Sequence, residues 1–164
     1  MLLILFGIPG VGKSHIGKLL QEEYGFFFYD ADIDLTEDMI LALAANQILT
    51  PEIRTPYYQK ITSRIVDLSI KHPDIVVAQA FTKEQYRLMI LDSLPKAKFV
   101  LIEANIELIS YRLRTRGNHL VTKETAYKIM AQFDKPAIPH DVIRNEGGLD
   151  DLKAQFSPLL SKLK

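Results

Sequence analysis

The stretch Leu2-Leu3-Ile4-Leu5-Phe6-Gly7-Ile8-Pro9-Gly10-Val11-Gly12-Lys13-Ser14 decides how the rest of the chain is read. Its second half matches G-x-x-x-x-G-K-[ST], a loop that cradles phosphates. Its first half is a short continuous apolar run, which predicts a buried strand. Ile16, Leu19 and Leu20 follow at helical spacing. Strand, glycine-rich turn and helix form the context this loop needs. The glycines let the backbone bend so that successive N–H groups face phosphate oxygens. The helix N-terminus adds its partial positive charge. Lys13 reaches β- and γ-phosphates and the Ser14 hydroxyl is placed for Mg²⁺. The expected nucleotide-binding set is Gly7, Pro9, Gly10, Val11, Gly12, Lys13 and Ser14. His15 joins it by position in the first helical turn, where packing or exposure accounts for it better than catalysis.

The bulk properties narrow the class. The chain has 164 residues, with 20 basic and 20 acidic side chains. That length predicts one domain with a substantial core. The charge balance gives no overall footprint for nucleic acid. There is no cysteine, which excludes disulfides, thiol nucleophiles and thiolate-bound metals. The apolar N-terminal run is too short for a signal-peptide core or a membrane span. A cytoplasmic protein without membrane attachment, monomeric or homodimeric, is therefore expected.

Apolar runs alternate with helical patterns, which predicts an α/β fold with a parallel sheet. Strands are expected at 2–6, 26–29, 75–78, 98–103 and 142–144. Helices are expected after the loop, at 35–45, from Pro56 to Lys71, from Lys83 to Leu91, from Ile106, at 122–133 and from Asp150. Residues 49–56, carrying Pro51 and Pro56, read as a broken connection. Ligands of such sheets bind at the carboxyl ends of the strands. The loop marks that edge, so Asp30 and Asp32, residues 79–83 and Glu103 become candidates.

A phosphate loop needs a partner for its metal. No acid follows the third strand, which ends in Ala78-Gln79-Ala80, and Glu103 after the fourth is an imperfect candidate. Asp30 and Asp32 can divide the work, one orienting Mg²⁺ and the other accepting a proton from an attacking hydroxyl. A solvated turn with helix capping is the structural alternative. Asp34 reads as a helix N-cap. Arg112, Arg114 and Arg116 stand at a helix end before Gly117. Arg112 and Arg116 share a face, which fits a lid closing over a transferring phosphoryl group. A basic turn favoured by the helix dipole is the alternative. Arg54, in the connection between helices, is a candidate for an anionic substrate. Lys83 and Arg87, on one helical face, are similar candidates. For each of the three a plain surface role weighs about equally.

Together these landmarks resemble the small metabolite kinases of the P-loop class, most closely the gluconokinase family and then the shikimate kinases. Tyr29-Asp30-Ala31-Asp32 resembles their acidic motif. The resemblance implies that Asp30 holds Mg²⁺ and Asp32 serves as base at the substrate hydroxyl. Residues 49–57, Leu-Thr-Pro-Glu-Ile-Arg-Thr-Pro-Tyr, resemble the gluconokinase stretch L-[ST]-D-x-D-R-x-P-W and imply Arg54 at the acceptor. Lys83-Glu84-Gln85-Tyr86-Arg87 resembles the family's K-x-x-Y-R run. Residues 112–119 resemble its lid, which adds His119 to the implied substrate contacts. Val142-Ile143-Arg144-Asn145 resembles the final strand and the loop that cups adenine, which adds Asn145. The chain departs from gluconokinases at Leu35-Thr36, where they carry His-Pro, and at Gln79-Ala80-Phe81, where they carry small hydroxyl residues. It also lacks the Gly-Gly-Gly run of shikimate kinases.

The expectation is a three-layer P-loop fold of the nucleoside-monophosphate-kinase kind, with a five-stranded parallel sheet and a helical lid. An acceptor-binding insert is expected near 34–71 and the lid near 112–136. The expected activity is transfer of the γ-phosphate of ATP to a hydroxyl of a small anionic metabolite, with Mg²⁺ as cofactor. A nucleoside or nucleoside-monophosphate kinase is the enzyme alternative. A nucleotide-binding regulator or hydrolase, with Glu103 as its acid, is the alternative of another class.

Overall fold

The computed structural model describes residues 1–115 and 122–163. Strand β1 (Leu2–Phe6) is buried at every position, as a central strand covered on both faces must be. Its side chains alternate. Leu2, Ile4 and Phe6 enter one core, and Leu3 and Leu5 enter the other. Period-two alternation thus divides one apolar run between two layers of helices.

Four more strands complete a sheet in the order β2-β3-β1-β4-β5, with every pairing parallel. They are β2 (Phe27–Asp30), β3 (Ile75–Ala78), β4 (Lys98–Glu103) and β5 (His140–Arg144). Helices α3 (Pro51–Lys71) and α4 (Glu84–Ser93) cover one face through Tyr57, Ile61, Ile65, Tyr86 and Ile90. Helices α1 (Lys13–Tyr24), α5 (Ile106–Thr115) and α7 (Leu149–Leu163) cover the other through Ile16, Leu20, Ile109, Leu113, Leu152 and Phe156. Helix α2 (Glu37–Ala44) lies between β2 and α3, and α6 (Lys123–Ala131) between α5 and β5. The expected five-stranded parallel sheet between helical layers is what the chain forms. No helix among the described residues is long and apolar enough to cross a membrane.

Three local expectations need correction. Residues 49–56 are not a broken connection, because α3 starts at Pro51 and runs through Pro56. Pro51 at the first position costs no hydrogen bond, and Arg54, Tyr57, Tyr58, Ile61 and Ile65 form one buried stripe across the second proline. That continuous burial outweighs the local break. Arg54 therefore sits on a helix. Lys83 does not open a helical face with Arg87, since it is the N-cap residue of α4.

Asp34 caps no α-helix. It ends a 3-10 turn (Ala31–Asp34). There it accepts the Tyr29 hydroxyl at 2.8 Å and pairs with Arg64 at 3.0 Å. Burial works against its charge, but the Tyr29 hydrogen bond and the Arg64 and Lys60 cations outweigh burial and hold its carboxyl below the ordinary range. Thr36 caps α2 instead, accepting from the Met39 N–H.

Candidate active site

The phosphate loop joins β1 to α1 at the carboxyl edge of the sheet. Gly12 occupies the helix N-cap position with φ of 96° and offers no side-chain cap. The first N–H groups of α1 are thus left for a ligand. A Cβ at Gly12 would lie 2.2 Å from Asn145 Nδ2, so both conformation and space demand glycine. Lys13 Nζ donates to the Gly7 and Ile8 carbonyls at 2.9 and 3.0 Å, within the loop it is expected to serve.

Two groups bind the backbone of the loop. Arg112 donates to the Gly10 and Val11 carbonyls at 3.3 and 3.2 Å and to the Asn145 carbonyl at 3.0 Å. Asn145, 4% exposed, donates through Nδ2 to the Val11 carbonyl at 2.8 Å. Asn145 was expected near adenine, and its side chain is instead engaged with the loop backbone.

The acidic pair lies opposite Ser14. Ser14 Oγ donates to Asp30 Oδ2 at 2.7 Å. Asp30 Oδ1 accepts the Asp32 N–H at 3.2 Å and so caps the 3-10 turn. The capping alternative and the hydroxyl–carboxylate pairing are therefore both realised in Asp30. Asp32 Oδ1 accepts from Gln79 Nε2 at 3.0 Å.

Lys13, Ser14, Asp30, Asp32 and Gln79 line one cleft of about 590 Å³, together with Lys18, Met39, Leu43, Arg54, Tyr58, Thr82 and Ile129. That volume suits a small ligand. Arg54 is 3% exposed. It donates through one terminal nitrogen to Thr82 Oγ1 at 3.1 Å and through the other to Gln132 Oε1. Its Nε is the one buried side-chain polar atom without a partner among the described residues. Burial pulls its guanidinium below the ordinary range.

The remaining sequence candidates lie elsewhere. Arg87 is fully buried, donating to the Phe81 and Asp134 carbonyls and to Glu84, and it lies over the Phe6 and Phe133 rings. It is engaged in the core and does not line the cleft, which corrects its reading as a substrate contact. Lys83 pairs with Asp134 at 2.9 Å and is likewise absent from the cleft wall. His15 is exposed and also outside it. Glu103 lies 3.7 Å from Arg144. Arg116 and His119 fall outside the described residues.

Sequence reading missed Lys18 and Tyr58 as cleft residues. Lys18 follows Ser14 by four positions on α1, so helical spacing alone could have found it. Thr82 lay within the candidate stretch after β3. Tyr58 belongs to the buried stripe of α3 one residue after Tyr57, and only packing brings it to the cleft wall.

The chain has known relatives. A family model described as shikimate kinase matches residues 9–137. The chain belongs to the shikimate kinase family. It resembles a gluconokinase of Arabidopsis thaliana, 29% identical over 142 residues, which are 80% of this chain and 75% of that one. A shikimate kinase of Caulobacter vibrioides is 27% identical over 143 residues, covering 84% of this chain and 68% of its own. A gluconokinase structure from Sinorhizobium meliloti 1021 superposes with a TM-score of 0.82, at 20% identity, over 99% of this chain and 92% of the other. That last likeness concerns the fold. Within the shikimate kinase family this chain is a gluconokinase-like kinase that takes ATP and a small-molecule substrate.

Proposed function

We propose that the chain transfers the γ-phosphoryl group of Mg-ATP to a hydroxyl of a small hydroxy acid of the gluconate or shikimate kind. The observation that carries this reading is Arg54. A buried cation is costly unless an anion meets it. Arg54 has only neutral hydrogen-bond partners among the described residues, leaves its buried Nε without a partner, and lines the cleft that contains the phosphate loop. Asp134, the acid that acts on it through space, is already bound to Lys83 and the Glu84 N–H. A substrate carboxylate would supply the missing charge through a charge-assisted hydrogen bond.

The other residues take roles that follow from their chemistry. The loop N–H groups and Lys13 hold the phosphates. Ser14 and Asp30 offer a hydroxyl and a carboxylate already in contact, a donor set that fits Mg²⁺ held also by phosphate and water. When bound, the metal offsets charge on the β- and γ-oxygens. Asp32 accepts the proton of the acceptor hydroxyl as that oxygen attacks phosphorus. Residues 112–136 act as the lid, with Arg112 and Arg116 stabilising the charge of the transferred group and the closed state excluding water. Residues 34–71 form the acceptor-binding insert.

The test is ADP release from Mg-ATP with water alone, then with D-gluconate, shikimate or nucleoside monophosphates added. Release should rise with a hydroxy acid. Lys13→Ala and Asp32→Asn should each abolish that rise, with ATP binding largely kept in the second variant. A rise only with nucleoside monophosphates would redirect the reading to a nucleotide acceptor, and full turnover in Asp32→Asn would remove the base.

A further inference from the structure

Gln79 stands at the first position after β3, where the edge of the sheet meets the cleft. It is 7% exposed and its amide is fully engaged. Nε2 donates to Asp32 Oδ1 at 3.0 Å and also to the Tyr57 hydroxyl. Oε1 accepts from the Ala80 N–H. Tyr57, fully buried, donates its own proton to the Ala31 carbonyl at 2.9 Å.

The direction of this chain follows from donor and acceptor counts. The Ala31 carbonyl only accepts, so the Tyr57 hydroxyl donates there and must accept from Gln79. An ionised Asp32 only accepts as well. The amide nitrogen must therefore face both groups, and turning it over would set its oxygen against a carboxylate. Both amide N–H groups are used inside the protein. Gln79 has no donor left for an acceptor molecule, and its reach into the cleft ends on Asp32.

We propose that Gln79 is a positioning residue for phosphoryl transfer, locking the Asp32 carboxylate through the chain Ala31 carbonyl–Tyr57–Gln79–Asp32. It rests on the reading of Asp32 as the base that receives the acceptor's proton. The acid lies on a short turn after β2, while Gln79 and Tyr57 belong to β3's end and to α3. The chain ties the turn to two elements anchored in the core, so the carboxylate is held before any acceptor arrives. A misplacement of about 1 Å in such a group can cost a hundredfold in rate.

The experiment measures kcat and KM for ADP release with D-gluconate, with shikimate and with water alone as acceptor, so that a rate exists to compare in every case. Gln79→Leu should lower kcat about tenfold to a hundredfold while the KM for ATP stays unchanged. Gln79→Glu keeps the shape and sets a second carboxylate against Asp32, and should lower kcat at least as far. In an Asp32→Asn background, where only the release with water alone remains, Gln79→Leu should lower that release no further, because the two act as one unit. Unfolding midpoints identify any variant that fails to fold. Crystal structures of the native and Gln79→Glu proteins with Mg-ADP should then show Asp32 leaving its native rotamer in the variant. Losses in kcat that add in the double variant, or an Asp32 rotamer unchanged in Gln79→Glu, overturn the proposal. Full turnover in Asp32→Asn overturns the base assignment and this proposal with it. Loss there combined with full turnover in folded Gln79→Leu overturns the positioning role alone.

Discussion

Arg54 carries a positive charge in a place where protein alone gives it little compensation. Thr82 and Gln132 are neutral, and Nε has no partner among the described residues. Such a residue adds little to stability and is best explained by what it binds. Replacing it by methionine keeps volume and removes the desolvated charge. Arg54→Met should change the unfolding free energy by less than about 1 kcal/mol, because lost hydrogen bonds and relieved desolvation offset one another. It should also raise the KM for the hydroxy acid, by an amount set by losing one hydrogen bond to a charged group, about 2 kcal/mol or roughly thirtyfold. Chemical denaturation and steady-state kinetics on the same preparation check both halves. The sequence made Arg54 a candidate through the residues around it. It could not distinguish Arg54 from Arg87, because both are arginines near the active edge. Only burial, partners and direction separate an arginine lining the cleft from one held between Phe6 and Phe133.

At the scale of elements, α3 is the instructive case. Pro56 lies inside the helix, is exposed, and leaves the Glu52 carbonyl without the N–H it would otherwise receive. The helix continues because Arg54, Tyr57, Tyr58, Ile61 and Ile65 are buried along one stripe, and Thr55 reaches the Tyr86 hydroxyl at 3.0 Å. A proline inside a helix costs about 3 kcal/mol, while its stiffening of the unfolded chain returns up to about 1 kcal/mol. Pro56→Ala should therefore stabilise the protein by about 2 to 3 kcal/mol. The urea midpoint should rise with an unchanged slope. An unchanged or lower midpoint would mean that the helix bends at Pro56 to its advantage. Strands were legible from sequence because apolar runs bounded by turns have few other fates. The start of α3 was not, because proline is a local signal and the stripe that overrides it is a tertiary one.

Across the whole molecule, the insert and the lid side meet at Asn46. Its backbone has φ of 53° just beyond α2, its side-chain oxygen accepts from Thr122 and Thr125, and its carbonyl accepts from Lys128 at 2.6 Å. Thr122 is also the N-cap of α6. The contact joins α2 to α6 across the mouth of the cleft, where Leu43 and Ile129 both line the wall. Asn46→Gly keeps the left-handed backbone accessible and removes only the side-chain clasp. It should loosen the closed state, raising the KM of the hydroxy acid roughly fivefold to thirtyfold, as expected for one or two hydrogen bonds of about 1 kcal/mol. ADP release without acceptor should rise, because an open cleft admits water. An unchanged ratio of transfer to hydrolysis would remove this role.

By itself the sequence determined the class of chemistry and the scaffold for it. Gly7 to Ser14 after a buried strand leaves few structures other than a phosphate loop on a parallel sheet, because backbone geometry there is dictated residue by residue. Asp30 and Asp32 were legible because the loop defines which edge of the sheet matters. Tertiary structure decided the division of labour around that edge. It bound Asn145 and Arg112 to the loop backbone, drew Arg87 into the core, set Arg54 in the cleft wall, and joined Gln79 and Tyr57 to Asp32. These outcomes depend on which side chains meet across elements 20 or more residues apart, and such meetings are settled by packing and hydrogen-bond completion in three dimensions.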